Sequence, residues 1–185
     1  MDDEYDEFYS KDDVAAFQRV GEFLCWFAML ETNMDTSIVG LLGVEETAGR
    51  LLLSYVPFSR KCEFLRELIC LEAVGFTDAE RKEAKSKVGE IQQKADLRNI
   101  VAHSYFLAQE GGVKFMRAKK KMRADTSEVW DKDVFRRHRT DMVDLWGWVA
   151  KISGQIRQKM PEAQIARALA EQLAKERAAP FSKLH

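Results

Sequence analysis

The strongest constraint on the fold is a helical repeat of apolar residues near the N-terminus. Val14, Phe17 and Gly21 begin a row at helical spacing that continues through Leu24 and Ala28. Because a helix that is apolar over much of its circumference must be covered by other elements, we expect this helix to be central in a helical protein. A second row beside the first widens the apolar stripe and consists of Val20, Phe23, Phe27 and Leu30.

Glu31 falls on the same stripe, where a carboxylate is costly unless it is paired. Two interpretations are open. In the first, Glu31 is the partner of a buried arginine and supports the site described below. In the second, the helix bends or ends near Thr32 and Asn33, and the carboxylate reaches water.

The following part of the chain repeats the helical pattern with short connections. Gly40 and Gly43 interrupt the first repeat, and shorter helices are expected over about 45–55 and 59–75. A capping box at Thr77 starts another helix, which is expected to reach about residue 103.

After this helix the pattern changes from helical to alternating. The runs 105–109 and 113–117 surround a Gly-Gly pair, which predicts a β-hairpin. A long helix from about residue 131 and an alanine-rich helix from about residue 162 follow. The predicted fold is therefore all-α, an antiparallel bundle of five or six helices with one small β-hairpin. Residues 1–12 are expected to form an acidic flexible tail, and 13–185 a single domain with the hairpin at about 105–117.

Composition narrows the possible function classes. The chain has 185 residues and a formal net charge of −1, which provides no overall attraction to nucleic acid or an acidic membrane. Its longest apolar run, 23–30, is far shorter than the ~20 residues of a membrane span. The N-terminus is acidic, unlike a signal peptide, and the three cysteines lack metal-binding spacing. We expect a cytoplasmic protein that uses no membrane, metal or cofactor.

The stretch from Leu97 to Tyr105 contains the residues with the clearest chemistry, Arg98, Asn99 and His103. An arginine can hold a phosphate and stabilise the negative charge that develops on it. A histidine can transfer protons at neutral pH, and RNA supplies its own nucleophile in the 2′-hydroxyl. These groups suffice for metal-free cleavage of RNA by transesterification.

If these residues lie on one helix, their side chains point in two different directions around its axis. Asn99 and His103 are four residues apart and share a face, whereas Arg98 and His103 are separated by roughly 140° around the helix. Leu97 and Ile100 lie on the opposite side and also require burial, so one side is expected to face a partner subunit. Twofold pairing would bring two such sets together, which predicts a homodimer with a composite site.

The segment Arg98–His103 resembles the Arg-x(4–6)-His motif of the HEPN superfamily. The resemblance implies a helical-bundle, dimeric, metal-independent ribonuclease of a toxin–antitoxin, defence or RNA-processing system. In this family the motif lies late in a helix, often with a polar residue after the arginine, as Asn99 is here. The longer pattern ending at Tyr105 is similar to the Arg-x4-His-x-Tyr form of HEPN toxins. Those toxins pair with a nucleotidyltransferase antitoxin that modifies the tyrosine, so Tyr105 is a candidate modification site.

A basic segment begins within the second run of the hairpin, and positions 114–123 contain six basic residues and no acidic one. As phosphate contacts, its side chains would position RNA without reading its sequence. Alternatively, the segment is a solvated loop that balances the acidic tail. His138, in a second basic cluster, is expected at the surface. The candidate RNA-backbone contacts are Lys114, Arg117, Lys119, Lys120, Lys121 and Arg123.

Two other functional interpretations remain. One is a non-catalytic HEPN-like module that binds RNA, a nucleotide or a protein partner. The other is an unrelated helical scaffold, in which Arg98 pairs with Glu31 or Asp96 and His103 packs at a helix end, where the helix dipole favours positive charge.

Overall fold

The computed structural model describes residues 9–71, 74–117 and 126–178. This part of the chain is mostly helical, and it confirms the predicted mainly helical class. The elements are α1 (Lys11–Leu42), α2 (Glu46–Ser54), α3 (Phe58–Cys70), α4 (Asp78–His103), β1 (Tyr105–Gln109), β2 (Gly112–Arg117), β3 (Thr126–Asp131), α5 (Lys132–Lys159) and α6 (Glu162–Ala178).

Local side-chain hydrogen bonds explain where several of these helices begin. Before α4, the Thr77 hydroxyl accepts from the backbone N–H of Glu80 at 3.2 Å, and the Glu80 carboxylate accepts from the backbone N–H of Thr77 at 2.7 Å. Ser10 and Asp13 form the same reciprocal pair at the start of α1. The predicted capping box at Thr77 is therefore present, and both boxes satisfy backbone donors that a helix end leaves free.

Helix α1 does not end near Thr32 and Asn33, as the second interpretation of Glu31 proposed. It continues past Thr32 and contains Gly40, ending only before Gly43, whose φ of 65° suits a glycine at a helix C-terminus. The extra turns are retained because Met34 and Ile38 are fully buried and keep the apolar repeat going beyond Glu31. The expected interruption at Gly40 is therefore wrong.

The sheet has three strands, one more than the predicted hairpin. β1 and β2 pair antiparallel across a two-residue turn, in which Gly111 adopts a φ of 75°. β3 pairs antiparallel with β2, so the order is β1-β2-β3. The sequence does not predict the third strand because, among its described side chains, Trp130 is the only large one that is buried, and the next residues already form α5.

The described residues fall into two compact units, to which α1, α4 and α5 each contribute. The first unit contains residues 9–30 and the described part of Gln93–Leu145. Its core is aromatic: the ring of Trp130 lies 5.2 Å from that of Phe23 and 5.0 Å from that of Phe115 on the inner face of the sheet. Phe135 of α5 packs on the same indole at 5.3 Å.

The second unit contains the described parts of Glu31–Gln92 and Trp146–His185. Its core is aliphatic, with Leu65 and Ile69 of α3, Ile91 of α4 and Ile156 of α5 fully buried. The prediction of a single domain over 13–185 stays a prediction. None of the helices in the described ranges is both long and apolar enough to cross a membrane.

Candidate functional site

Arg98 and Asn99 lie in the last two turns of α4, in the first unit, and both are half-buried. Arg98 Nη1 donates a hydrogen bond to Asn99 Oδ1 at 3.3 Å, and the guanidinium carbon lies 6.0 Å from the centre of the Phe27 ring. Among the described residues of this unit, no carboxylate lies within ion-pair distance of Arg98. An aromatic face and an amide oxygen orient the cation without neutralising it.

His103 is the last residue of α4, and its side chain is exposed. Within the described part of the chain, no hydrogen bond joins it to Arg98 or Asn99. For Arg98, the separation around the helix explains this, because a span of five residues turns its side chain and that of His103 roughly 140° apart. One chain therefore places the cation and the imidazole on different sides of the same helix end.

Tyr105 opens β1 and is 68% exposed. The strand alternates, so Tyr105 and Leu107 point outward while Phe106 points inward, where its ring lies 5.6 Å from that of Phe17. The candidate modification site is thus an accessible hydroxyl two residues after His103.

Glu31 belongs to the second unit, where its cation is a lysine. Lys61 Nζ donates to Glu31 Oε1 and to Asp35 Oδ2, each at 2.9 Å. The Lys61 side chain is only 4% exposed. Burial by itself lowers the pKa of Lys61, but the hydrogen bonds that its ammonium donates to the two carboxylates, together with their negative charges, outweigh burial and raise the pKa above its usual value.

The predicted RNA-backbone contacts are only partly described. Lys114 lies in the middle of β2, paired between Leu107 of β1 and Val129 of β3. Arg117 is the last residue of β2. Lys119, Lys120, Lys121 and Arg123 lie outside the described residues.

A polar cluster that the sequence did not single out lies one helical turn before Arg98. Lys94 Nζ donates to Asp141 Oδ2 at 2.6 Å and lies 3.4 Å from His138 Nδ1. His138 is half-buried against Trp130, with ring centres 4.7 Å apart, so the expectation of a plain surface histidine is wrong. The only sequence signal was the spacing of His138 and Asp141 on one face of α5.

The surroundings of His138 shift its pKa downward. Burial is the largest cause, because it penalises the imidazolium, and the Lys94 ammonium acts in the same direction. Asp141 opposes the shift by favouring the charged form. The neutral ring can accept a hydrogen bond from Lys94. The polar groups of this cluster therefore satisfy one another and link α4 to α5.

In the described ranges, no three His, Cys, Asp or Glu side chains are grouped so that they could hold a metal ion. Comparisons with protein-family models, with curated proteins and with solved structures found no match to this chain.

Proposed function

We propose that this protein is a metal-independent endoribonuclease of a toxin–antitoxin or defence system, acting as a homodimer. The observation that supports it is the state of Arg98, a half-buried cation oriented by Phe27 and Asn99 with no carboxylate partner in the described first unit. A buried cation is usually paired, so an oriented and unpaired guanidinium suits an anionic ligand. A phosphate of RNA fits this requirement, with the accessible imidazole of His103 at the end of the same helix.

In the proposed reaction the 2′-oxygen attacks the adjacent phosphorus, and the bond from phosphorus to the 5′-oxygen breaks. The 2′-hydroxyl loses its proton to a base, and the 5′-oxygen gains one from an acid. His103 exchanges these protons, Arg98 stabilises the charge on the phosphate oxygens, and Asn99 holds the guanidinium. The products are a 2′,3′-cyclic phosphate and a 5′-hydroxyl.

The homodimer is part of this proposal because one helix end directs Arg98 and His103 to different sides. A second copy related by a twofold axis would supply the missing group from its own α4. The antiparallel bundle, the cytoplasmic location and a nucleotidyltransferase-type antitoxin acting on Tyr105 belong to the same proposal.

The direct test is cleavage of a single-stranded RNA in EDTA, with the product ends identified. We expect cyclic phosphate and 5′-hydroxyl ends, and a rate about 10²–10⁴-fold lower in His103→Ala. His138→Gln is the matched control, since that histidine lies in a separate, internally paired cluster. Absence of cleavage, or equal cleavage by His103→Ala, would reject the proposal.

The composite site has a sharper test in mixed subunits. Arg98→Gln and His103→Ala should each cleave RNA at least about 10²-fold more slowly when assayed alone. If one site takes Arg98 from one copy and His103 from the other, mixing the two variants after subunit exchange should restore part of the activity. Mixtures that stay inactive, although exchange is verified, would place both residues in the same subunit's site.

A second candidate function is a non-catalytic HEPN-like module that binds RNA, a nucleotide or a protein partner. The observation that favours it is the exposed His103, whose ring no residue of the described chain holds in place. Catalytic histidines normally have an orienting partner. RNA binding that depends on Arg98, without cleavage of the bound RNA, would select this candidate.

A further inference from the structure

The outward face of the three-stranded sheet forms a small regular array of side chains in the first unit. The strand register places Tyr105 beside Met116, with Ser127 on the far strand. The next row, about 6.8 Å further along the strands, places Lys114 between Leu107 and Val129. The end of the sheet nearest to His103 in sequence therefore presents the Tyr105 ring and, in the next row, the Lys114 ammonium between the aliphatic side chains of Leu107 and Val129.

This face is open to solvent although it is largely apolar. Leu107 is 40% exposed and Val129 is 54% exposed, while Tyr105 is 68% exposed. The opposite face has Phe115 and Trp130 in the aromatic core. The apolar outward residues therefore contribute little to the core of this unit and are available to a ligand.

The lysine at the centre of this face favours a polyanion over an apolar protein partner. Lys114 occupies its centre, and in sequence it begins the segment 114–123, which has six basic residues and no acidic one. The outward carboxylate in the described strands, Asp131, lies in the row beyond Lys114 from Tyr105 and accepts hydrogen bonds from the backbone N–H groups of Asp133 and Val134 at 2.9 and 2.8 Å. The ammonium of Lys114 suits a phosphate, and the neighbouring ring and aliphatic side chains suit the face of a nucleotide base.

We infer that the outward face of the sheet is a binding platform for single-stranded RNA, with Tyr105 stacking on an unpaired base and Lys114 contacting a phosphate. This inference rests on the proposed function, whose substrate class it specifies. Bases in a duplex already stack on one another, so a protein ring can reach the face of a base only in a single strand, a loop or an end. The platform starts two residues after His103, so it would hold nucleotides next to the cleaved phosphate.

In the platform, Tyr105 has a role that does not require its hydroxyl group. Stacking requires the ring alone, whereas modification of Tyr105 by a partner enzyme requires the oxygen. Tyr105→Phe and Tyr105→Ala therefore separate the two roles in one pair of variants.

The experiment measures RNA affinity in the His103→Ala background, so that the probe is not cleaved. The probes are a fluorescent single-stranded oligouridine and a blunt duplex RNA of the same length, compared at one salt concentration. We expect preference for the single strand, at least a five-fold loss of affinity in Tyr105→Ala, and full affinity in Tyr105→Phe. Lys114→Gln should weaken binding and reduce the salt dependence by about one phosphate contact.

Tyr55→Ala is the matched control, because Tyr55 is another exposed tyrosine, at 82%, in the second unit. It should leave affinity unchanged. Equal affinity for the duplex, or unchanged binding by Tyr105→Ala, would overturn the platform while leaving RNA cleavage to be judged by its own assay. Single-strand binding that needs Tyr105 but is never followed by cleavage in the unsubstituted protein would reject the nuclease and keep the platform.

Discussion

The two units treat a buried cation in opposite ways. In the second unit, Lys61 is almost fully buried and donates to two carboxylates, Glu31 and Asp35, each at 2.9 Å. In the first unit, Arg98 is half-buried and meets an aromatic ring and an amide oxygen. Lys61 has its charge balanced internally, whereas Arg98 has been oriented and left with its charge available.

The difference suits the proposed division of roles, in which Lys61 stabilises the fold and Arg98 binds a ligand. The two carboxylates compensate for the cost of removing the Lys61 charge from water, so Lys61 needs no ligand to balance its charge. In the proposed function, the charge of Arg98 is balanced by the bound phosphate. If this comparison is right, replacing Lys61 affects stability, and replacing Arg98 affects binding and catalysis.

The largest expected effect is therefore on stability, from Lys61→Met. This change leaves Glu31 and Asp35 beside each other without their cation, and Asp35 Oδ1 already lacks a hydrogen-bond partner among the described residues. Breaking a buried ion pair from one side costs about 3–5 kcal/mol. The loss should appear as a lower midpoint of urea unfolding.

Arg60→Ala provides the control for Lys61, because it changes the neighbouring residue on α3. Arg60 also forms an ion pair, with Glu63, but its side chain is 68% exposed. We expect a change of about 0–1 kcal/mol. If both variants lost the same stability, burial would not be what distinguishes Lys61.

The next largest effect is expected from Arg98→Gln, which should lower the rate of RNA cleavage and leave stability nearly unchanged. The substitution removes a cation–aromatic contact worth about 0.5–1 kcal/mol, so the unfolding midpoint should change little. Cleavage of RNA should fall about 10²-fold or more, as expected when charge stabilisation at the reacting phosphate is lost. A loss of stability as large as that of Lys61→Met would instead identify Arg98 as a structural cation.

The comparison between the units also shows what could be predicted from the sequence. Helix positions followed from the apolar repeats and capping boxes, because both are local and Thr77 or Ser10 needs only a partner three residues away. The β-hairpin followed from its alternation and its Gly-Gly pair. Strand β3 did not, because it is defined by pairing with β2 and has few buried side chains of its own.

The same limit applies to the polar residues. Glu31 was recognised as a carboxylate that needs a partner, but the identity of that partner depends on which face of α3 packs against α1. Lys61, thirty positions away, is buried, but no sequence feature distinguishes it from the lysines at the surface. The grouping of Lys94 with His138 and Asp141 is equally non-local. Spacing reveals residues that share an element, whereas partners on different helices depend on tertiary packing.

Lys94 is intermediate between the two cations, because it shares its protons between a carboxylate and a neutral imidazole. The cluster holds the pKa of His138 below its usual 6.5, through burial first and the Lys94 ammonium second, with Arg137 adding to the shift and Asp141 and Glu128 opposing it. In the unfolded chain these influences are absent, so His138 takes up a proton there first as the pH falls.

The smallest expected effect is the pH dependence that follows. Stability from the neutral His138 is fully present above the unfolded pKa and is lost as the pH falls through the lower folded pKa. Urea unfolding of the unsubstituted protein should therefore show a decline between pH 7.5 and 5.5. His138→Gln removes the titrating group, so its decline over this interval should be shallower. Identical slopes for the two proteins would mean that the pKa of His138 is the same in the folded and the unfolded chain, which would contradict the prediction.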